Sequence, residues 1–159
     1  MEQKTLSKWL KCIIVGVGIC CLIIYAVVFP LYGTNLLNIY PEFSNRYWPW
    51  LIFIWCSGIP CFTVLVLSWK IATNIGNDKS FSMANAKLFK WISGLAAGDS
   101  CFFFVGNLLM LFLNMSHPSV VLLSLIVVFV GVAIAVASAA LSHLVMKAAK
   151  LQEESDLTI

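Results

Sequence analysis

The sequence predicts an all-α integral membrane protein, a four-helix bundle with both termini in the cytoplasm, on three observations. The first is composition. Of 159 residues, 61% are hydrophobic and 11% charged, against about 45–50% and about 25% in a soluble chain, and mean hydropathy is +0.95. The second is four apolar stretches, about 12–29, 48–69, 91–113 and 119–146. Each approaches or exceeds the roughly 20 residues that a helix needs to cross ~30 Å of hydrocarbon. The third is the placement of charge. Lys4, Lys8 and Lys11 precede the first stretch, Lys70, Lys79, Lys87 and Lys90 separate the second from the third, and Lys147 and Lys150 follow the fourth. Only Arg46 falls on the opposite side. Basic residues are retained in the cytoplasm, so the termini and the central loop face inward. The net charge of +3 reflects this bias and gives no sign of nucleic-acid binding. The length suits one membrane domain, 1–159.

The first span follows three lysines, as a signal peptide would. It is too long for a signal core and ends in Val27-Val28-Phe29-Pro30 without a small-x-small cleavage site, so it reads as a retained helix. Pro30 to Tyr47 reads as an outer loop rich in aromatics and turn formers, in which Pro41 opens a short helix. Trp48 and Trp50 mark the outer interface, and Trp9, Trp69 and Trp91 the inner one. In the second span Gly58-Ile59-Pro60 predicts a kink.

Gly76 suits the C-cap of that span, and Ser80 or Ser82 the N-cap of the next helix. From there Phe81, Ala84, Leu88, Trp91 and Ile92 recur at helical spacing, with Lys87 and Lys90 off the stripe. The pattern predicts a cytoplasmic amphipathic segment over about 80–91 that runs into the third span. It would lie on anionic lipid or dock a cytoplasmic protein. The outer connection, Asn114 to Pro118 with His117 in it, forces spans three and four into an antiparallel pair. The polar tail, 150–159, carries Glu153, Glu154 and Asp156 where the rest of the inner surface is basic.

Chemistry-bearing patterns are few. Asp99 is the one formal charge inside a span, roughly 12 Å from the inner end of its helix at 1.5 Å per residue. A carboxylate there costs about 2.5–3.5 kcal/mol on insertion scales and is expected to face the bundle interior, pair, or be protonated at neutral pH. Gly94, Gly98 and Gly106 share its helix, and Gly94 to Gly98 is a G-x-x-x-G spacing for helix packing. The fourth span offers Gly131, Ala135, Ser138 and Ser142 as a matching small face. Ser138, Ser142 and His143 are therefore expected as hydrogen-bonding partners of Asp99, and Asn107 extends the polar strip. Asp99 is either a proton or cation site or a helix-to-helix hydrogen-bonding residue. The six cysteines lie within the spans and form no C-x-x-C pair, which speaks against a disulfide oxidase. The two histidines sit near opposite faces, so no metal or cofactor is implied.

Several segments carry a resemblance: Phe29-Pro30 with Gly33, Tyr47 to Phe62, Trp69-Lys70-Ile71, Ile75-Gly76 with Asp78, Ser80-Phe81-Ser82, Asn85-Ala86, and Asp156 to Ile159. In these the chain resembles a bacterial family of four-span membrane proteins, domain-of-unknown-function family 2975. The resemblance implies a multi-pass protein of the bacterial cytoplasmic membrane and supplies no catalytic residue. It also implies a link to small helix-turn-helix regulators. The expectation is a non-enzymatic regulatory or sensing protein. Phe81, Leu88, Lys87, Lys90, Glu153, Glu154 and Asp156 would then dock a transcription regulator at the membrane. The alternative is a small transporter, channel or immunity-type protein that works as a homo-oligomer and uses Asp99.

Overall fold

The structure, a computed structural model, describes residues 2–39, 41–116 and 118–156. It is helical throughout its ordered elements. In chain order these are α1 (Gln3–Ile23), a π-helical turn (Ile24–Val28), α2 (Phe29–Ile39), a 3-10 turn (Pro41–Phe43), α3 (Ser44–Gly76), α4 (Met83–Phe112) and α5 (Pro118–Asp156). The segment Gln3–Ile39 and the helices α3, α4 and α5 are each long and apolar enough to cross a membrane. Four crossings would bring the two ends of the bundle to one side.

The first span and the segment after it form one continuous helix where a loop was expected from Pro30. Proline fixes φ at a helical value but donates no backbone hydrogen bond, and its ring crowds the carbonyl four residues back. The chain widens to π geometry just before Pro30, with the Phe29 N–H bonded to the carbonyl of Ile24. The next donor in that register would be residue 30, which has none. The carbonyl of Tyr25 is thereby stranded in lipid, where an unsatisfied group is costly. The indole N–H of Trp55 on α3 donates to it at 3.1 Å. That accounts for the one tryptophan placed away from the interfaces.

The helices pack in the order of the chain: α1 on α3, α3 on α4, α4 on α5. Among the described residues no Cα of α1 comes within 8 Å of α4 or α5, and none of α3 of α5. The bundle therefore has an open cross-section. The α4–α5 hairpin is its tightest pair, as the short outer connection requires; His117 lies outside the described residues.

Small and polar residues make the interfaces. Beside Leu51, Ile54, Ile71, Ala72, Ala86 and Ile92, the buried set holds Ser7, Ser57, Asn85, Ser100, Asn107, Ser124 and Ser138. In lipid, helices gain little from apolar contact and associate through close approach and hydrogen bonds. Ser7 donates to the carbonyl of Ala72 at 2.6 Å, and a Cβ on Gly76 would lie 2.7 Å from the Ser7 hydroxyl. Gly76 is thus spent on bringing α1 against α3. The left-handed C-cap falls instead to Asp78 (φ 57°), with Lys79 N–H reaching back to Asn74 at 2.9 Å. Asn114 (φ 54°) ends α4 in the same way, with Met115 N–H on Met110 at 2.8 Å. Asn and Asp are the non-glycine residues that best tolerate this conformation. Ser82 caps α4 as expected, accepting from Asn85 N–H at 3.3 Å. α3 passes through Pro49 and Pro60 without a break in helical assignment.

Candidate functional site

Two places concentrate polar chemistry. The first lies inside the membrane, where the π turn, α3 and α4 meet. The π turn carries Tyr25 toward α3, and Gly58 receives it: a Cβ there would lie 3.0 Å from the tyrosine ring. The Tyr25 side chain lies beside Ser57, and Ser57 Oγ donates to Asp99 Oδ2 at 3.1 Å. The result is a polar cluster of Tyr25, Ser57 and Asp99 from three helical segments, joined by the bond from Ser57 to Asp99. Asp99 Oδ1 is buried and has no hydrogen-bond partner. The Cys61 thiol lies beside this cluster and near Cys21. Leu22, Tyr25, Trp55, Gly58, Phe62 and Val66 line an apolar groove of about 780 Å³ on the lipid side of the same helices.

The second place is at the lysine-rich end. Asn85, 1% exposed, accepts from Asn74 Nδ2 at 2.7 Å and donates to the carbonyls of Lys79 and Ser80, each at 3.0 Å. This fastens the α3–α4 connection to both helices. Ser80 Oγ also donates to Gln3 Oε1 at 2.8 Å, tying in the start of α1. So held, the connection faces the last turns of α5 across a groove of about 390 Å³. Asp78, Lys79, Phe81, Ser82 and Met83 line one wall and Ala149, Gln152 and Glu153 the other. Phe81 is 60% exposed.

Residues 33–159 match the family model described as "Protein of unknown function (DUF2975)". The chain belongs to that family. It is also similar to the "Uncharacterized membrane protein YoaS" of Bacillus subtilis (strain 168), at 25% identity over 162 residues and 99% of each chain. No solved structure matches. This DUF2975 chain is therefore a multi-pass membrane protein of a family whose function is unknown.

The residues singled out in the sequence are distributed as follows. Asp99 meets Ser57 of α3 and not Ser138, Ser142 or His143 of α5. The antiparallel register explains the difference: Ser100 sits against Gly131, while Ser142 Oγ donates to the carbonyl of Ala86 at 2.7 Å. Ser142 and His143 thus lie roughly 18 Å from the level of Asp99 at 1.5 Å per residue, and His143 is exposed. Asn107 is buried and donates to the carbonyl of Phe103 in its own helix at 2.7 Å. Gly106 admits the ring of Phe53, and Gly131 the side chain of Ser100. Ala135 and Ser138 are buried. Gly94 and Gly98 have no neighbour within 4 Å of a built Cβ among the described residues, so within one chain their spacing packs nothing.

Of the docking candidates, Phe81 and Glu153 share the groove. Leu88 is half-buried, while Lys87, Lys90 and Glu154 are exposed. α5 continues as helix to Asp156, whose side chain, like residues 157–159, lies outside the described residues. Tyr25, Ser57, Asn74 and Asn85 were not anticipated as polar partners. The only sequence signal for the first pair is a tyrosine four residues after Cys21 in an otherwise apolar run, and a serine beside Gly58.

Proposed function

We propose that this DUF2975 protein is a non-enzymatic regulatory or sensing membrane protein that docks a cytoplasmic partner, a helix-turn-helix DNA-binding regulator, at its lysine-rich end. The positive-inside distribution of lysines supports a cytoplasmic position for that end. The observation that carries the reading is the groove between the Asn85-fastened connection and the end of α5. It joins two segments, far apart in sequence, that both hold polar residues and exposed apolar side chains. A rigid platform of this kind lowers the ordering cost of binding. Phe81 serves as the apolar anchor, and Asp78 and Glu153, both exposed, favour a segment that carries Lys or Arg.

The test is a mild-detergent pull-down of the tagged protein from its native host. A stoichiometric DNA-binding protein is expected, lost on Phe81→Ser or on truncation before Leu151 with membrane levels unchanged. Recovery of the protein alone, or of a partner indifferent to both changes, overturns the reading. The half-buried Leu88 is a poorer probe, because its replacement disturbs packing as well.

One observation favours a second reading, a small oligomeric transporter, channel or immunity-type protein: an intramembrane carboxylate, Asp99, with one unpartnered oxygen.

A further inference from the structure

We propose that Tyr25, Ser57 and Asp99 form a proton-binding site inside the membrane, with the proton taken up and released at Asp99 Oδ1. The inference is independent of partner docking. It deepens the Asp99 reading only so far as binding, which transport would need but which does not itself imply transport.

The two oxygens of Asp99 are unequally satisfied. Asp99 Oδ2 accepts from Ser57 at 3.1 Å, and Tyr25 lies beside Ser57. Oδ1 is buried without a partner. A carboxylate in hydrocarbon normally gathers several donors or a countercharge. No Lys or Arg lies inside the spans at this level. The buried Oδ1 is therefore the atom at which positive charge would be stabilised.

Geometry favours a proton over a metal cation. Hard cations take about six or more oxygen ligands. Among the described residues Ser57 is the side chain hydrogen-bonded to Asp99, and the surrounding carbonyls belong to helices. A proton needs one lone pair. Its arrival at Oδ1 also leaves the Ser57 bond undisturbed, because Oδ2 accepts from Ser57 in the carboxylate and in the acid alike. The two states differ in charge and share one geometry, which suits reversible exchange.

The titratable groups facing Asp99 are few. From the first span these are Tyr25 and, further off, Cys21; from α3, Cys61. α5 presents Gly131 to the neighbouring Ser100. Its described titratable residues, His143, Lys147, Lys150, Glu153 and Glu154, all lie toward the lysine-rich end. Tyr25 also forms part of the wall of the groove between the first span and α3.

The test uses the full chain in vesicles of phosphatidylethanolamine and phosphatidylglycerol and records infrared difference spectra between about pH 5 and about pH 9, a window that brackets buried carboxyls. The expected result is a carboxylic-acid C=O band that appears at the acid end, disappears in Asp99→Asn, and titrates as one group. Replacing K+ by Na+ should leave its midpoint unmoved. Ser57→Ala, which keeps the carboxyl, should displace the midpoint and the band frequency. If Asp99→Asn fails to fold, the Ser57→Ala displacement carries the assignment. A spectrum with no pH-dependent carboxyl band, or a band unaffected by either substitution, overturns the proposal. A midpoint that moves with Na+ assigns the site to sodium and overturns the proton.

Discussion

Trp55 and Pro30 illustrate how one residue can oblige another. The proline removes the donor that the Tyr25 carbonyl would have used, and the indole replaces it at 3.1 Å. Trp55→Phe should therefore destabilise the protein by about 1–3 kcal/mol, the cost of an unmet buried polar group. Restoring a backbone donor with Pro30→Ala should shrink that cost, which a double-mutant cycle of thermal unfolding in detergent would measure. Equal costs in both backgrounds would disprove the link. Asn85 is the second such residue. Its replacement by Ala strands Asn74 Nδ2 and two carbonyls at once. The expected loss is ~3 kcal/mol, at the high end for one substitution, with earlier proteolysis of the α3–α4 connection as the local readout. Proline and tryptophan were conspicuous in the sequence, but their partnership was not. It depends on which carbonyl the π turn leaves over, and no spacing rule encodes that.

At the scale of elements, the glycines separate into those that admit a neighbour and those that do not. Gly106→Ala should cost about 1–3 kcal/mol, because the Phe53 ring occupies the space of the new methyl. Gly98→Ala meets nothing within the chain and should raise stability by up to ~1 kcal/mol through helix propensity. Comparing the two melting temperatures checks the assignment; a loss at Gly98 would mean that its face is covered after all. From sequence alone the pair Gly94 and Gly98 looked the better packing motif, since G-x-x-x-G describes a surface without saying which neighbour uses it. The same limit applied to Asp99. Its depth and inward direction were legible from charge and hydropathy, but its partner depended on the register of α4 against α5 and on the packing of α3, which two-helix reasoning leaves open. The helix ends were half legible: Ser82 was found, whereas the left-handed caps passed to Asp78 and Asn114 once Gly76 was needed for α1.

For the molecule as a whole, the four spans were readable because lipid imposes its demand on every stretch separately. Orientation carries a direct test. In an otherwise unchanged chain, a cysteine at Ser116 should react with a membrane-impermeant maleimide added to intact cells. One at Ser80 should react only after permeabilisation. The reverse pattern would invert the topology and remove the docking proposal with it. The open cross-section was beyond the reach of sequence, because hydropathy reports that a helix meets lipid without reporting on how many sides. Its consequence concerns biosynthesis. Since every span packs only on spans next to it in the order of translation, each can settle against its predecessor as it leaves the translocon, with no need to wait for a distant partner. Assembly should then proceed as successive dockings, and a nascent chain arrested after α4 should already hold the Tyr25, Ser57 and Asp99 contacts, with α5 added last.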